Sequence, residues 1–171
     1  MSIENRYGIL CGLGMCGWIL LEFILGFHTT SLEIGQYSGY FSFVVPALFI
    51  FTAMSELKSI SNGSLGIKAG INIGFHIAIL SAAIFTFFLF VYNNYINPGW
   101  IDTMVDWQRK RLILGGATDD EIGRFMDQNR STNSTVGQGV ITFVSTTGIG
   151  VVLTLILIPV VKRFSLWKPT Y

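Results

Sequence analysis

The sequence predicts an all-α integral membrane protein: a bundle of four transmembrane helices with an amphipathic helical hairpin between the third and fourth. Three observations predict it. Of 171 residues, 51% are hydrophobic and 12% charged, against about 25% charged in soluble domains. The mean hydropathy is +0.57. The apolar residues are gathered into four runs, each separated by polar sequence. In lipid the backbone of each run finds hydrogen-bond partners only within itself, which makes it a helix. A β-barrel needs ten-residue segments of alternating polarity, and "AAIFTFFLFVY" does not alternate.

The chain reads as a single membrane domain over 1–171. The first span is expected at 7–27, because "MSIENRYGIL" lacks the basic region and small-residue cleavage site of a signal peptide. The second, 40–54, is short and carries Pro46, a residue that membrane helices tolerate at a kink. The third, 65–92, is the longest, and such a helix tilts or extends beyond the lipid. The fourth covers 136–161. Asn62-Gly63 marks a tight turn between the second and third.

Residues 93–135 form an extramembrane excursion with structure of its own. Asn97 and Pro98 suit the N-cap and first position of a helix, which Gly115-Gly116 ends. "TDDE" (Thr118 to Glu121) is a capping box opening a second helix, with its three acids at the positive end of the helix dipole. Ile122, Phe125 and Met126 form that helix's apolar stripe. The hairpin either packs on the bundle, rests in the headgroups, or offers a surface to a partner.

The third span carries two stripes. Gly66, Gly70 and Gly74 continue at four-residue spacing into Ala78, Ala82 and Thr86. Small residues in this register let a neighbouring helix approach closely, with van der Waals contact as the attraction. The first span has a lesser version in Gly8, Gly12 and Cys16, with Gly26 near the angle of Gly8; "STTGIG" in the fourth reads as packing too. Cys11 and Cys16 form no metal or redox motif and serve as small apolar fillers. Lys68, Asn72 and His76 lie nearly opposite the glycines, since two residues turn a helix by about 200°. Lys68 can snorkel, whereas Asn72 and His76 need partners.

Glu22 lies within the first span, on the same side as Gly8, Met15 and Ile19. An intramembrane carboxylate is costly and is a functional-site candidate by default; the structural reading is a glutamate stitching two helices. A Glu22–His76 pair is not expected, since the sequence places them on the order of 10 Å apart along the bundle. His28, just beyond the span, reads as interfacial, as do Tyr7, Tyr40, Tyr92, Tyr95 and Trp167.

No HExxH, GxSxG or phosphate-loop motif occurs, and no Cys/His set has zinc spacing. The sequence therefore gives no catalytic, cofactor or metal residues, and nothing in it requires an enzyme. The loop carboxylates match a solvated helix face, and sequons at Asn62, Asn129 and Asn133 fall on both sides of the expected topology. The net charge of +1 and the lack of a basic run give no reason to expect nucleic acid.

Orientation follows the basic residues near the span ends. The side of the termini holds Arg6, Lys58, Lys68, Lys162, Arg163 and Lys168. The other side holds Arg109, Lys110, Arg111, Arg124 and Arg130 amid six acids, with the first three well away from the third span. Both termini are expected in the cytoplasm.

Four segments together, "YGILCGLG", "NGSLGIKAGINIG", "YINPGW" and "ATDDEI", resemble an uncharacterised family, a domain of unknown function. Its members are small four-helix bacterial inner-membrane proteins, common in Bacteroidetes. The resemblance implies an inner-membrane protein with a polar excursion before its last helix and transfers no catalytic residues. The expected role is a non-enzymatic accessory, scaffold or assembly subunit whose partners are the bilayer and a second copy or another membrane protein. The alternative is a small oligomeric transporter or channel for ions, protons or a small solute, with Glu22, Asn72 and His76 in a polar path.

Overall fold

The structure, a computed structural model, describes residues 1–129, 132 and 134–164. Trp167, Lys168, Arg130 and the sequon residue Asn133 lie outside the described residues. The helices are α1 (Ile3–Ile24), α2 (Leu32–Ser38), α3 (Val44–Ile60), α4 (Ile67–Val91), α5 (Trp100–Leu114), α6 (Asp119–Asn129) and α7 (Thr135–Arg163). A 3₁₀ segment (Gly39–Phe43) joins α2 to α3, and a π-helical turn (Tyr92–Ile96) extends α4. Among the described residues the fold is all-helical, and four stretches are long and apolar enough to cross a membrane: Ile3–Ile24, Leu32–Ile60, Ile67–Ile96 and Thr135–Arg163.

The second stretch is longer than its apolar run suggested. The preceding short helix, α2, leads into α3 through the 3₁₀ segment, giving 29 residues in all. Pro46 lies in the first turn of α3, where the amide it lacks has no intrahelical partner in any case. It sits just after the 3₁₀ segment, where the run passes into α-helix.

α4 is the central helix, packed most extensively on α7 and α1. On one side the small residues of α4 and α7 interlock. A Cβ added at Gly70 would stand 2.9 Å from Ile158, one at Gly74 2.5 Å from Thr154 Cγ2, and one at Gly150 2.5 Å from Ala78 Cβ. The pairs march in antiparallel register, each step of four along α4 matched by four back along α7. On the other side it is α1 that supplies the glycines: Gly8 and Gly12 receive Leu80 and Ile84. Gly66 takes no part in either seam. It is the N-cap of α4, and a Cβ there would meet nothing closer than Ala69 at 3.9 Å.

Cys11, Ile50, Ala53, Met54, Ile77 and Ala82 are fully buried at the centre. Leu13, Ile24, Phe87 and Val144 stand on the outside, as helices facing lipid require. At the end carrying the N-terminus, Arg6 pairs with Glu56, and Tyr7 donates to the same carboxylate at 2.8 Å. Tyr7 is thus 9% exposed, part of the core rather than an interfacial anchor. Lys58 Nζ donates to the carbonyls of Val161 and Lys162, 2.9 Å each, satisfying the end of α7 where a cation is favoured. Asn62 and Gly63 both adopt positive φ, 53° and 76°, forming the turn that their sequence predicts.

Candidate functional site

At the opposite end of the bundle the chain turns back at Gly26. The amide of Gly26 bonds Phe23 O at 3.0 Å and that of Phe27 bonds Glu22 O at 2.9 Å, the paired C-terminal closure that needs a left-handed residue. Gly26 supplies it at φ 79°. Its carbonyl then accepts the amides of Thr29, Thr30 and Ser31 at 2.8–3.1 Å. This knot directs His28 inward, beneath the bundle's end. α2 closes over the knot at Gly35, where a Cβ would stand 2.5 Å from Phe27 O.

The result is a buried polar chain. Glu22 is 2% exposed and His28 6%. Glu22 Oε1 accepts from Trp18 Nε1 at 2.9 Å and from Ser38 Oγ at 2.5 Å. Its Oε2 faces His28 Nε2 at 3.4 Å. His28 Nδ1 bonds the Tyr92 hydroxyl at 2.6 Å, and Asn97 Nδ2 donates to the same hydroxyl at 3.2 Å. With His28 as the neutral Nε2–H tautomer, every contact in the chain pairs a donor with an acceptor. Asn97 donates to Tyr92, Tyr92 donates its proton to Nδ1, and the imidazole keeps its own proton on Nε2 toward the carboxylate.

Aromatic rings seal the chain. Trp100 of α5 stacks on His28 with centroids 4.2 Å apart, and Phe23 meets Tyr92 edge-on at 5.8 Å. Tyr92 itself is fully buried. The π turn does this: Asn97 N bonds Tyr92 O at 2.8 Å, the wide i→i+5 spacing that inserts a residue and re-aims the side chains around it. Five elements (α1, the Gly26 knot, α2, the π turn and α5) are thereby tied to one carboxylate. The arrangement is a latch, holding the excursion onto the membrane helices.

His28 and Tyr92 therefore differ from their expected interfacial roles. Burial beneath α2 and α5 depends on contacts far apart in sequence, which hydropathy does not show. Asn97 does not cap α5; its side chain is spent on Tyr92, and the N-cap is Gly99. The capping box of α6 forms as its sequence specifies: Thr118 N bonds Glu121 Oε2 at 2.8 Å and Glu121 N bonds Thr118 Oγ1 at 3.4 Å. These bonds hold the Glu121 carboxyl below its ordinary range, the backbone amide of Thr118 foremost. Ile122 is buried and Phe125 and Met126 half-buried.

The structure does not bring Glu22 together with Lys68, Asn72 and His76. Gly8 opposes Leu80 and Gly12 opposes Ile84, a constant offset of 72 positions. That register sets Glu22 level with the π turn and roughly 27 Å from His76 at 1.5 Å per residue, farther than the sequence suggested. Lys68, Asn72 and His76 are exposed. His76 Nε2 contacts Asn5 Oδ1 at 3.0 Å. Asn72 and His76 line a lateral notch of about 270 Å³ with Glu4, Leu57 and Ala69. The polar back of α4 thus overhangs the first turn of α1, at the end of the bundle farthest from the latch.

No curated protein and no solved structure matches the chain. A family model described as "Protein of unknown function (DUF4199)" matches residues 6–163. That match takes in the four membrane helices but for the first three residues of α1, with the latch and the excursion, so the chain belongs to the DUF4199 family.

Proposed function

We propose that the protein is a non-enzymatic accessory, scaffold or assembly subunit of a bacterial inner membrane, with both termini in the cytoplasm. One observation carries the reading: the buried ionisable groups at the latch end, Glu22, His28 and Tyr92, are spent on one another. Both Glu22 oxygens, His28 and Tyr92 are bonded and capped by rings. The open polar stripe, Lys68–Asn72–His76, faces sideways from α4. A stripe of that kind suits a neighbouring membrane protein or a second copy, because polar side chains at a helix flank gain from interhelical bonds.

A transporter would need polar steps along the bundle. From Tyr92 to Ser81, about 16 Å along α4, the helix turns Phe85, Phe88 and Leu89 to the core, and Thr86 is the one polar side chain between them. Proteoliposomes loaded with a pH-sensitive dye separate the two readings. The expected proton and cation leak equals that of empty vesicles. A flux that Glu22→Gln abolishes would establish transport instead. Cross-linking in cells from Asn72→Cys is expected to give a defined adduct larger than the monomer; monomer alone defeats the scaffold reading.

A further inference from the structure

We infer that the far end of α5 is a lipid-binding hook, seated on the bilayer surface beside the bundle and selecting anionic headgroups. α5 lies across the end of the bundle. Its first residue, Trp100, stacks on His28. Trp107 lines a groove with residues 30–34, and Arg111 donates to Gln36 Oε1 at 2.7 Å. The contacts advance outward from the bundle interior to α2. Gln36 lies near the start of the apolar stretch Leu32–Ile60, where Tyr37 and Tyr40 are 67% and 62% exposed, as aromatics at a membrane interface are. Arg111 is therefore held at headgroup level on the rim of the bundle.

One face of α5 makes all these contacts. At 100° per residue, Trp100, Trp107, Arg111 and Leu114 fall within about 60° of one another, whereas Arg109 points the opposite way. The face that rests on protein at Trp100 continues past α2 at Leu114, where the side chain is 87% exposed. An aliphatic side chain presented there, in line with the packed face, meets lipid beside the bundle. Lys110 and Arg111 flank it, and basic residues at this depth are drawn to anionic headgroups. Gly115 and Gly116, the latter at φ 82°, let the chain turn into α6 immediately after the hook.

The test uses the full chain in nanodiscs with an environment-sensitive fluorophore at Leu114→Cys or, as the opposite-face control, Arg109→Cys. The native Cys11 and Cys16 are buried. In discs containing anionic lipid, nitroxide-bearing lipid is expected to quench the Leu114 label and spare the Arg109 label. Lys110→Ala is expected to lower the ratio of inserted to free tip by about fivefold, the effect of one lysine at an anionic surface. Equal quenching at both positions, or none at either, overturns the hook. Insertion indifferent to Lys110→Ala overturns the anionic-headgroup assignment. A Leu114 signal that vanishes when labelled protein is diluted to one copy per disc overturns it in favour of a contact between copies.

Discussion

Glu22→Ala should release the excursion without dissolving the bundle. Removing the carboxylate strips the acceptor from Trp18 Nε1, Ser38 Oγ and His28 Nε2. Ser38 keeps a second acceptor, Gly35 O at 3.1 Å, so two donors are orphaned. At about 1–3 kcal/mol for each buried unsatisfied group, the loss is about 2–6 kcal/mol. Most of it should appear locally, because the α4–α7 and α1–α4 seams do not involve the carboxylate. Hydrogen exchange of the protein in detergent micelles reads this directly. Amides of residues 25–43 and 92–114 should exchange about thirtyfold or more faster, the lower end of that energy range, while those of residues 70–82 stay protected. Glu22→Gln should fall between wild type and Glu22→Ala: it keeps an acceptor for Trp18 and Ser38 but turns either a donor or a weaker acceptor toward His28. Uniform loss of protection across the bundle would refute the latch, as would a change confined to the last turn of α1.

The glycine seam makes a second prediction. Gly74→Ala gains about 1 kcal/mol of helix propensity but sets a methyl 2.5 Å from Thr154 Cγ2 and 2.8 Å from Thr154 Cβ. Overpacking of this kind costs about 1–3 kcal/mol. Because the Cβ clash cannot rotate away, a net loss is expected on titration with SDS, and Thr154→Gly should restore part of it. Gly17→Ala, with nothing within 4 Å of the new methyl, should be neutral or stabilising, and a loss there equal to that at Gly74 would sink the seam. The third concerns pH. The Glu121 carboxyl is lowered by its bonds to Thr118, so the box supports α6 at pH above the unfolded carboxyl's range and loses that support as pH falls through the lowered value. Protection at the first turn of α6, taken relative to the intrinsic exchange rate at each pH, should therefore fall at acid pH in the wild type and lose that dependence in Glu121→Gln.

The sequence by itself determined what each segment must be. Runs too apolar for water became helices because lipid offers the backbone no alternative. Asn62-Gly63, Gly115-Gly116 and the Thr118–Glu121 box acted through bonds a few residues long, which local sequence specifies completely. The glycine spacing of α4 announced a seam, though not that α7 fills it or that Gly66 stands outside it. Only the tertiary structure decided what the costly residues do. Glu22 signalled its own importance through the expense of a carboxylate in a membrane helix, but His28 and Ser38, its partners beyond α1, come from two other stretches of chain. His28 and Tyr92 read as interfacial because hydropathy reports depth along the membrane normal and is blind to what lies above. The axial register of α1 against α4, set by Gly8 on Leu80 and Gly12 on Ile84, placed Glu22 beside Tyr92 and carried His76 to the other end. That register is a property of two packed surfaces, written in neither helix alone.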